Sequence, residues 1–121
     1  VDVLIVDDSA VIRKILQRVL SQANLGVGKM MEAADGREAL DAVRRQPIDL
    51  ILADIQMPHM DGLEFLSELR SHESWKQIPV FMISTEGSQA KVREAMQLGA
   101  QGFVRKPFTA VQMKEKLAAV L

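Results

Sequence analysis

Short, nearly uninterrupted apolar runs punctuate this chain at Val3–Val6, Leu50–Ala53, Val80–Ile83 and Phe103–Val104, with a weaker one over Lys29–Ala33. A strand with one face in water alternates apolar and polar residues, whereas a strand covered on both faces has no reason to. These runs therefore constrain the fold more than any other feature: the sheet they form must be buried on both sides. The stretches between them have another period. Val11, Ile12, Ile15, Leu16, Val19 and Leu20 recur at helical spacing, with Arg13, Lys14, Gln17 and Arg18 read as the opposite, solvated side. Asp35-Gly-Arg-Glu38, Asp61-Gly-Leu-Glu64 and Thr109-Ala-Val-Gln112 each have the form of a capping box at a helix start. Gly99 suits a left-handed helix stop after Leu98. Strand and helix alternate five times, (βα)5, which predicts an α/β fold with a doubly wound, open parallel five-stranded sheet and helices on both faces.

At 121 residues, 48% of them hydrophobic, with no linker, repeat or low-complexity stretch, the chain reads as one domain over 1–121. Fifteen basic and 16 acidic residues give a net charge of −1, so no overall field would draw nucleic acid or an anionic membrane. The lack of cysteine excludes disulfides and thiolate metal sites. No apolar run approaches the ~20 residues of a membrane helix, no signal peptide is visible, and the expected location is cytoplasmic. Gly26-Val-Gly28 follows a helical stretch and lacks a third glycine, which argues against a dinucleotide loop.

In open parallel sheets the functional crevice lies outside the carboxyl ends of the strands, so the residues that follow each apolar run carry most weight. They are Asp7 and Asp8 after the first, Asp54 after the third, Ser84 after the fourth, and Lys106-Pro107 after the fifth. Two carboxylates ~5 Å apart at an effective dielectric of ~20 repel by about 3 kcal/mol. Three together either raise their pKa values or take up a cation. With oxygen ligands alone the fitting ion is Mg²⁺, and Mn²⁺ would accept the same set; zinc would call for a His or Cys cluster. An acid cluster beside a lysine suits phosphoryl transfer to a carboxylate. Asp54 is the best nucleophile candidate, because it stands alone at its strand end, and Asp7 and Asp8 make better metal ligands. Taken alone, Asp7-Asp8 could equally be an acidic pair at a helix N-terminus.

The ordered motifs Val6-Asp-Asp8, Asp54-Ile-Gln-Met-Pro-His-Met-Asp-Gly62, Met82-Ile-Ser-Thr-Glu-Gly87 and Gly102-Phe-Val-Arg-Lys-Pro-Phe108 span essentially the whole chain. Together they resemble the response-regulator receiver domain, and in particular the single-domain chemotaxis (CheY-like) regulators. The resemblance implies the flavodoxin-like strand order 2-1-3-4-5 and a phospho-accepting signalling domain rather than an enzyme. It implies that Asp54 takes a phosphoryl group from a histidine kinase or phosphotransfer protein. Asp8, Asp54 and the backbone carbonyl of Gln56 would bind Mg²⁺, and Asp7 would act through water. Lys106, joined to Pro107 by a cis bond, would pair with the phosphate, and Ser84 would hydrogen-bond it. Phe103 would then turn inward and remodel a partner-binding face made by the fourth helix, fifth strand and fifth helix.

Some positions depart from the family's usual pattern. Ser84 keeps a hydroxyl where Thr is commonest, and Phe103 keeps the ring of a Tyr without its hydroxyl. Thr85 stands where Ala or Gly is usual, adding bulk near Asp54. Gln56 and Glu86 occupy positions that tune how water reaches the acyl phosphate. A stand-alone chemotaxis-type regulator is the leading expectation, with a receiver cut from a transcriptional regulator or hybrid kinase as the alternative. An aspartyl phosphohydrolase would carry Asp-x-Asp after the first strand and a cap, and a flavin or nucleotide binder would be repelled by two aspartates there. Lys91, Arg93 and Glu94 read as a mixed solvated face of the fourth helix, and His59 and His72 as solvated loop residues.

Overall fold

The computed structural model describes residues 1–85 and 89–119. Among these residues five strands alternate with five helices: β1 (Val3–Val6), α1 (Ala10–Ala23), β2 (Met30–Ala33), α2 (Gly36–Arg45), β3 (Leu50–Ala53), α3 (Gly62–Ser71), β4 (Val80–Ser84), α4 (Gln89–Gln97), β5 (Gly102–Arg105) and α5 (Ala110–Ala118). All strand pairs are parallel, in the order β2-β1-β3-β4-β5. This is the expected doubly wound, flavodoxin-like arrangement.

The continuous apolar runs divide their residues between two cores. Leu4, Val6, Ile51, Ala53, Val80 and Met82 face α2, α3 and α4, where Leu40, Phe65, Leu66, Leu69 and Ala95 meet them. Val3, Ile5, Leu50, Leu52, Phe81 and Ile83 face the other side, against Leu16, Val19 and Leu20 of α1 and Met113 and Leu117 of α5. β1 and β3 are wholly buried, and burial of this kind contributes roughly 25 cal/mol per Å² of apolar surface. β2 lies at the sheet edge with Glu32 exposed, so its apolar signal is the weakest. No helix among the described residues is long and apolar enough to cross a membrane.

The helix starts form largely as the sequence predicts. Asp61 and Thr109 complete capping boxes with Glu64 and Gln112. Asp35 accepts from the Glu38 amide, but Glu38 reaches back to the Ala34 amide rather than to that of Asp35. Gly99, at φ +101°, takes the left-handed turn beyond α4, and the Arg70 guanidinium of α3 donates two hydrogen bonds to its carbonyl at 2.8 and 3.1 Å.

The apolar stripe of α1 is narrower than its sequence suggests. Leu16, Val19, Leu20 and Ala23 are buried, but Val11 and Ile15 are exposed. The 14 residues of α1 extend about 21 Å along its axis, against about 13 Å for a four-residue strand. Its first turn thus projects past the sheet, leaving Val11 without apolar surface to cover.

Candidate functional site

Register brings the acids together. Val6 is level with Ala33 on one side and Ala53 on the other, so Asp7 and Asp54 leave the sheet side by side. The Asp7 amide donates to the Ala33 carbonyl at 3.0 Å, and the Asp54 amide donates to the Val6 carbonyl at 2.9 Å. On the far side of β4, the Lys106 amide donates to the Ser84 carbonyl at 3.0 Å. This ties the lysine's backbone to the sheet where Ser84 ends β4, and the Lys106–Pro107 peptide bond is cis.

The side chains then converge. Lys106 Nζ lies 2.7 Å from Asp7 Oδ2 and 3.3 Å from Asp54 Oδ2. Asp7 Oδ1 accepts from the Ser9 amide at 2.9 Å, and Asp54 Oδ1 accepts from the Ile55 amide at 2.7 Å. Both oxygens of the buried Asp7 are thus engaged. Asp8 is exposed, and among the described residues no hydrogen bond or ion pair to a protein group engages its carboxylate. Asp7, Asp8 and Asp54 each offer an oxygen within 4.8 Å of the others. An all-oxygen set of this size fits a hard divalent cation, with Asp8 and Asp54 nearer to open space than Asp7.

Electrostatics follow from this geometry. Burial pushes the Asp54 carboxyl above its ordinary value and the nearby Asp7 charge adds to the effect, while Lys106 and the Ser84 hydroxyl oppose it without cancelling it. Lys106 is raised: burial pulls it down, but its hydrogen bond to Asp7 and the charges of Asp54 and Asp7 outweigh that. Asp54 therefore folds at a cost once ionised. That cost is absent below the carboxyl's ordinary 3.8, grows as pH rises through it, and is complete above the raised folded-state value. In EDTA near neutral pH, Asp54→Asn is expected to melt at a higher temperature than the wild type, with the gap closing as pH falls towards 3.8. A gap that stayed constant down to acid pH would contradict this account.

The remaining predicted positions spread outward from this centre. Ser84 is buried at the end of β4, and Thr85 beyond it is exposed. Gln56 is exposed and lines a groove of about 490 Å³ together with Asp8, Ile55, Met57, Asp61 and Lys91. Phe103 is half-buried against the α2–α3–α4 core and borders a second groove with Val92, Pro107 and Lys116. Phe108 packs on the opposite core. Glu86 lies outside the described residues.

Sequence reasoning missed two side chains here. Arg13, read as solvated, donates from Nη1 to the Asp7 carbonyl at 2.6 Å and from Nε to Glu32 at 2.9 Å, which lowers the Glu32 pKa. It thus clamps the turn that presents Asp7 and Asp8 to the edge strand. Its position three residues before Leu16 and seven before Leu20 marks it as inward-facing. Lys91 is likewise half-buried on the groove wall, four residues before the buried Ala95, rather than part of a solvated face. His72, expected as a solvated loop residue, is exposed just past α3, with its ring 4.3 Å from that of Trp75.

Fold and site together define a class: a doubly wound CheY-like domain with three carboxylates and a lysine gathered at its strand ends. Residues 3–118 match the family model for the response regulator receiver domain, and the chain belongs to that family. The chemotaxis protein CheY-3 of Vibrio cholerae is 39% identical over 115 residues, covering 95% of this chain and 87% of that protein. CheY1 of Helicobacter pylori is 40% identical over 121 residues, covering 98% and 94%. The solved CheX–CheY–BeF3–Mg²⁺ complex from Borrelia burgdorferi contains a similar chain, with a TM-score of 0.90 and 33% identity over 98% of this chain and 87% of that one. The chain is a CheY-like receiver, consistent with a chemotaxis-type regulator in two-component signalling. Receivers of this type are signalling domains rather than enzymes in the ordinary sense.

Proposed function

We propose that this receiver accepts a phosphoryl group on Asp54 from a histidine kinase or phosphotransfer protein and thereby switches a partner-binding face. The observation that carries the reading is the meeting of Asp7, Asp8 and Asp54 within 4.8 Å, with Lys106 bonded to two of them. An Asp54 carboxylate oxygen attacks phosphorus, the phosphorus–nitrogen bond of the donor's phosphoimidazole breaks, and the departing imidazole takes a proton from solvent. The product is an acyl phosphate on Asp54. Lys106 Nζ, now shared between two carboxylates, turns part of its bonding to the transferred group, and the Ser84 hydroxyl donates to a phosphate oxygen.

The acid cluster fits Mg²⁺ through Asp8, Asp54 and the Gln56 carbonyl, with Asp7, the most deeply buried of the three acids, acting through water. Bound there, the ion would neutralise charge on the phosphoryl oxygens. The switched face comprises α4, β5 and α5, where Phe103 lies half-buried beside a groove lined by residues of all three elements. That a similar CheY of Borrelia burgdorferi forms a complex with CheX supports a protein as a partner.

Incubation with Mg²⁺ and acetyl phosphate, followed by intact-mass measurement and peptide mapping, tests this. Wild type is expected to gain one phosphoryl group, at Asp54, and Asp54→Asn none. A label mapped elsewhere, or undiminished in that variant, would overturn the assignment.

A further inference from the structure

The groove beside the acid cluster has a charge pattern that holding a cation does not explain. It shares Asp8 with the cluster, and Asp8 offers an oxygen within 4.8 Å of one from Asp54, so the groove adjoins the proposed acceptor. Its charged walls are Asp8, Asp61 and Lys91. Asp61 is committed to capping α3 through one oxygen. Lys91 is the groove's one cation among the described residues, and its place in the helix is unusual. Lys91 and Ala95 stand at i and i+4 on the inward stripe of α4, which Leu98 continues just past the helix end, and Ala95 is fully buried. A lysine in such a slot loses rotamer freedom and some hydration. Its neighbours Arg93 and Glu94 are exposed, as residues on the outer face of the helix.

We infer that Lys91 recruits the anionic phosphodonor, supplying the outer positive charge on its path to Asp54. The inference rests on Asp54 being the acceptor. A donor phosphate carries up to two negative charges, and one that approaches along this groove meets the carboxylates of Asp8 and Asp61. Lys106 attracts it only from the inner side, where it is already bonded to Asp7 and Asp54. Lys91 offsets the acids at the mouth and raises the local donor concentration, as a charge lining a cleft does. The ligand class is therefore a small phosphate ester, anhydride or amide with its phosphate exposed, and the effect scales with donor charge.

The test compares labelling rates of the intact chain at subsaturating donor, in low salt and in about 1 M salt, where the Debye length falls to ~3 Å. Acetyl phosphate serves as the more highly charged donor and phosphoramidate as the less charged. Lys91→Gln is expected to slow labelling by acetyl phosphate roughly threefold to tenfold in low salt. It should slow phosphoramidate less, and the deficit should close in high salt, while Lys91→Arg keeps the wild-type rate. Calorimetric Mg²⁺ titration supplies a readout of opposite sign: losing a nearby cation leaves metal affinity unchanged or tighter, whereas damage to the groove weakens it. Unchanged rates in Lys91→Gln, or an equal loss with both donors that persists in high salt, would overturn the inference. Failure of the wild type to label at Asp54 would instead overturn the acceptor reading itself.

Discussion

Replacing Lys106 with alanine is expected to lower stability by about 3 kcal/mol in EDTA at neutral pH, and added Mg²⁺ is expected to restore much of the loss. The side chains of Lys106, Asp7 and Asp54 are 13%, 3% and 11% exposed, so water screens these ion pairs poorly. Surface pairs contribute at most about 1 kcal/mol. Removing one partner of a buried pair costs more, because the charge left behind stays desolvated and unpaired. Without Lys106, Asp54 loses the largest influence holding its pKa down while burial and Asp7 continue to push it up. The deficit should accordingly shrink as pH falls and protons replace the ammonium. Urea midpoints across pH, with and without Mg²⁺, measure it. A deficit below about 0.5 kcal/mol, or one indifferent to both pH and metal, would show that the lysine contributes little to the fold.

The second large effect belongs to a residue with no side chain. Gly62 begins α3, and its amide donates to the Ile55 carbonyl at 2.8 Å. A Cβ at this position would overlap the Asp54 carbonyl oxygen and come within 2.9 Å of its carbonyl carbon and 2.8 Å of Met82 Cε. The methionine end can give way, but the Asp54 backbone cannot move without carrying its carboxylate out of the acid cluster. Gly62→Ala gains at most about 1 kcal/mol in helix propensity, while overpacking against backbone costs about 1–3 kcal/mol. The variant is expected to be less stable by about 2 kcal/mol and to label more slowly than its remaining folded fraction accounts for. Thermal melts and labelling rates together decide it. Wild-type values in both would mean that the start of α3 can withdraw from Asp54 at no cost.

How far the sequence foretells this molecule depends on what kind of information each residue carries. The sheet was legible because burial on both faces removes alternation, and a run as short and continuous as Leu50–Ala53 fits a doubly covered strand better than a helix. Gathering the site at the strand ends followed from parallel topology, which sends every strand out on the same side. Less could be read where side-chain direction matters. Arg13 and Lys91 occupy inward slots of their helices, yet charge alone suggested solvent for both. Long cationic side chains bury their stems while their heads seek partners, and the partners here, the Asp7 carbonyl and the groove, exist only after folding. Gly62 was legible as part of a helix start, but its proximity to Asp54 is a tertiary fact. The breadth of the α1 stripe was overstated at Val11 because a periodic pattern does not show where the supporting sheet ends.

The modest anchoring of α4 has a mechanical consequence. α3 sends Gly62, Leu63, Phe65, Leu66 and Leu69 into the interior, whereas α4 contributes Ala95 as its only fully buried residue. Withdrawing one alanine methyl group from its packing costs on the order of 1 kcal/mol, several-fold less than withdrawing a phenylalanine or leucine. Within a stiff, doubly covered sheet, α4 is therefore the compliant member, tethered beyond its end where Arg70 holds the Gly99 carbonyl. Under the proposed phosphorylation, new contacts made at Ser84 and Lys106 would meet less resistance from α4 than from α3.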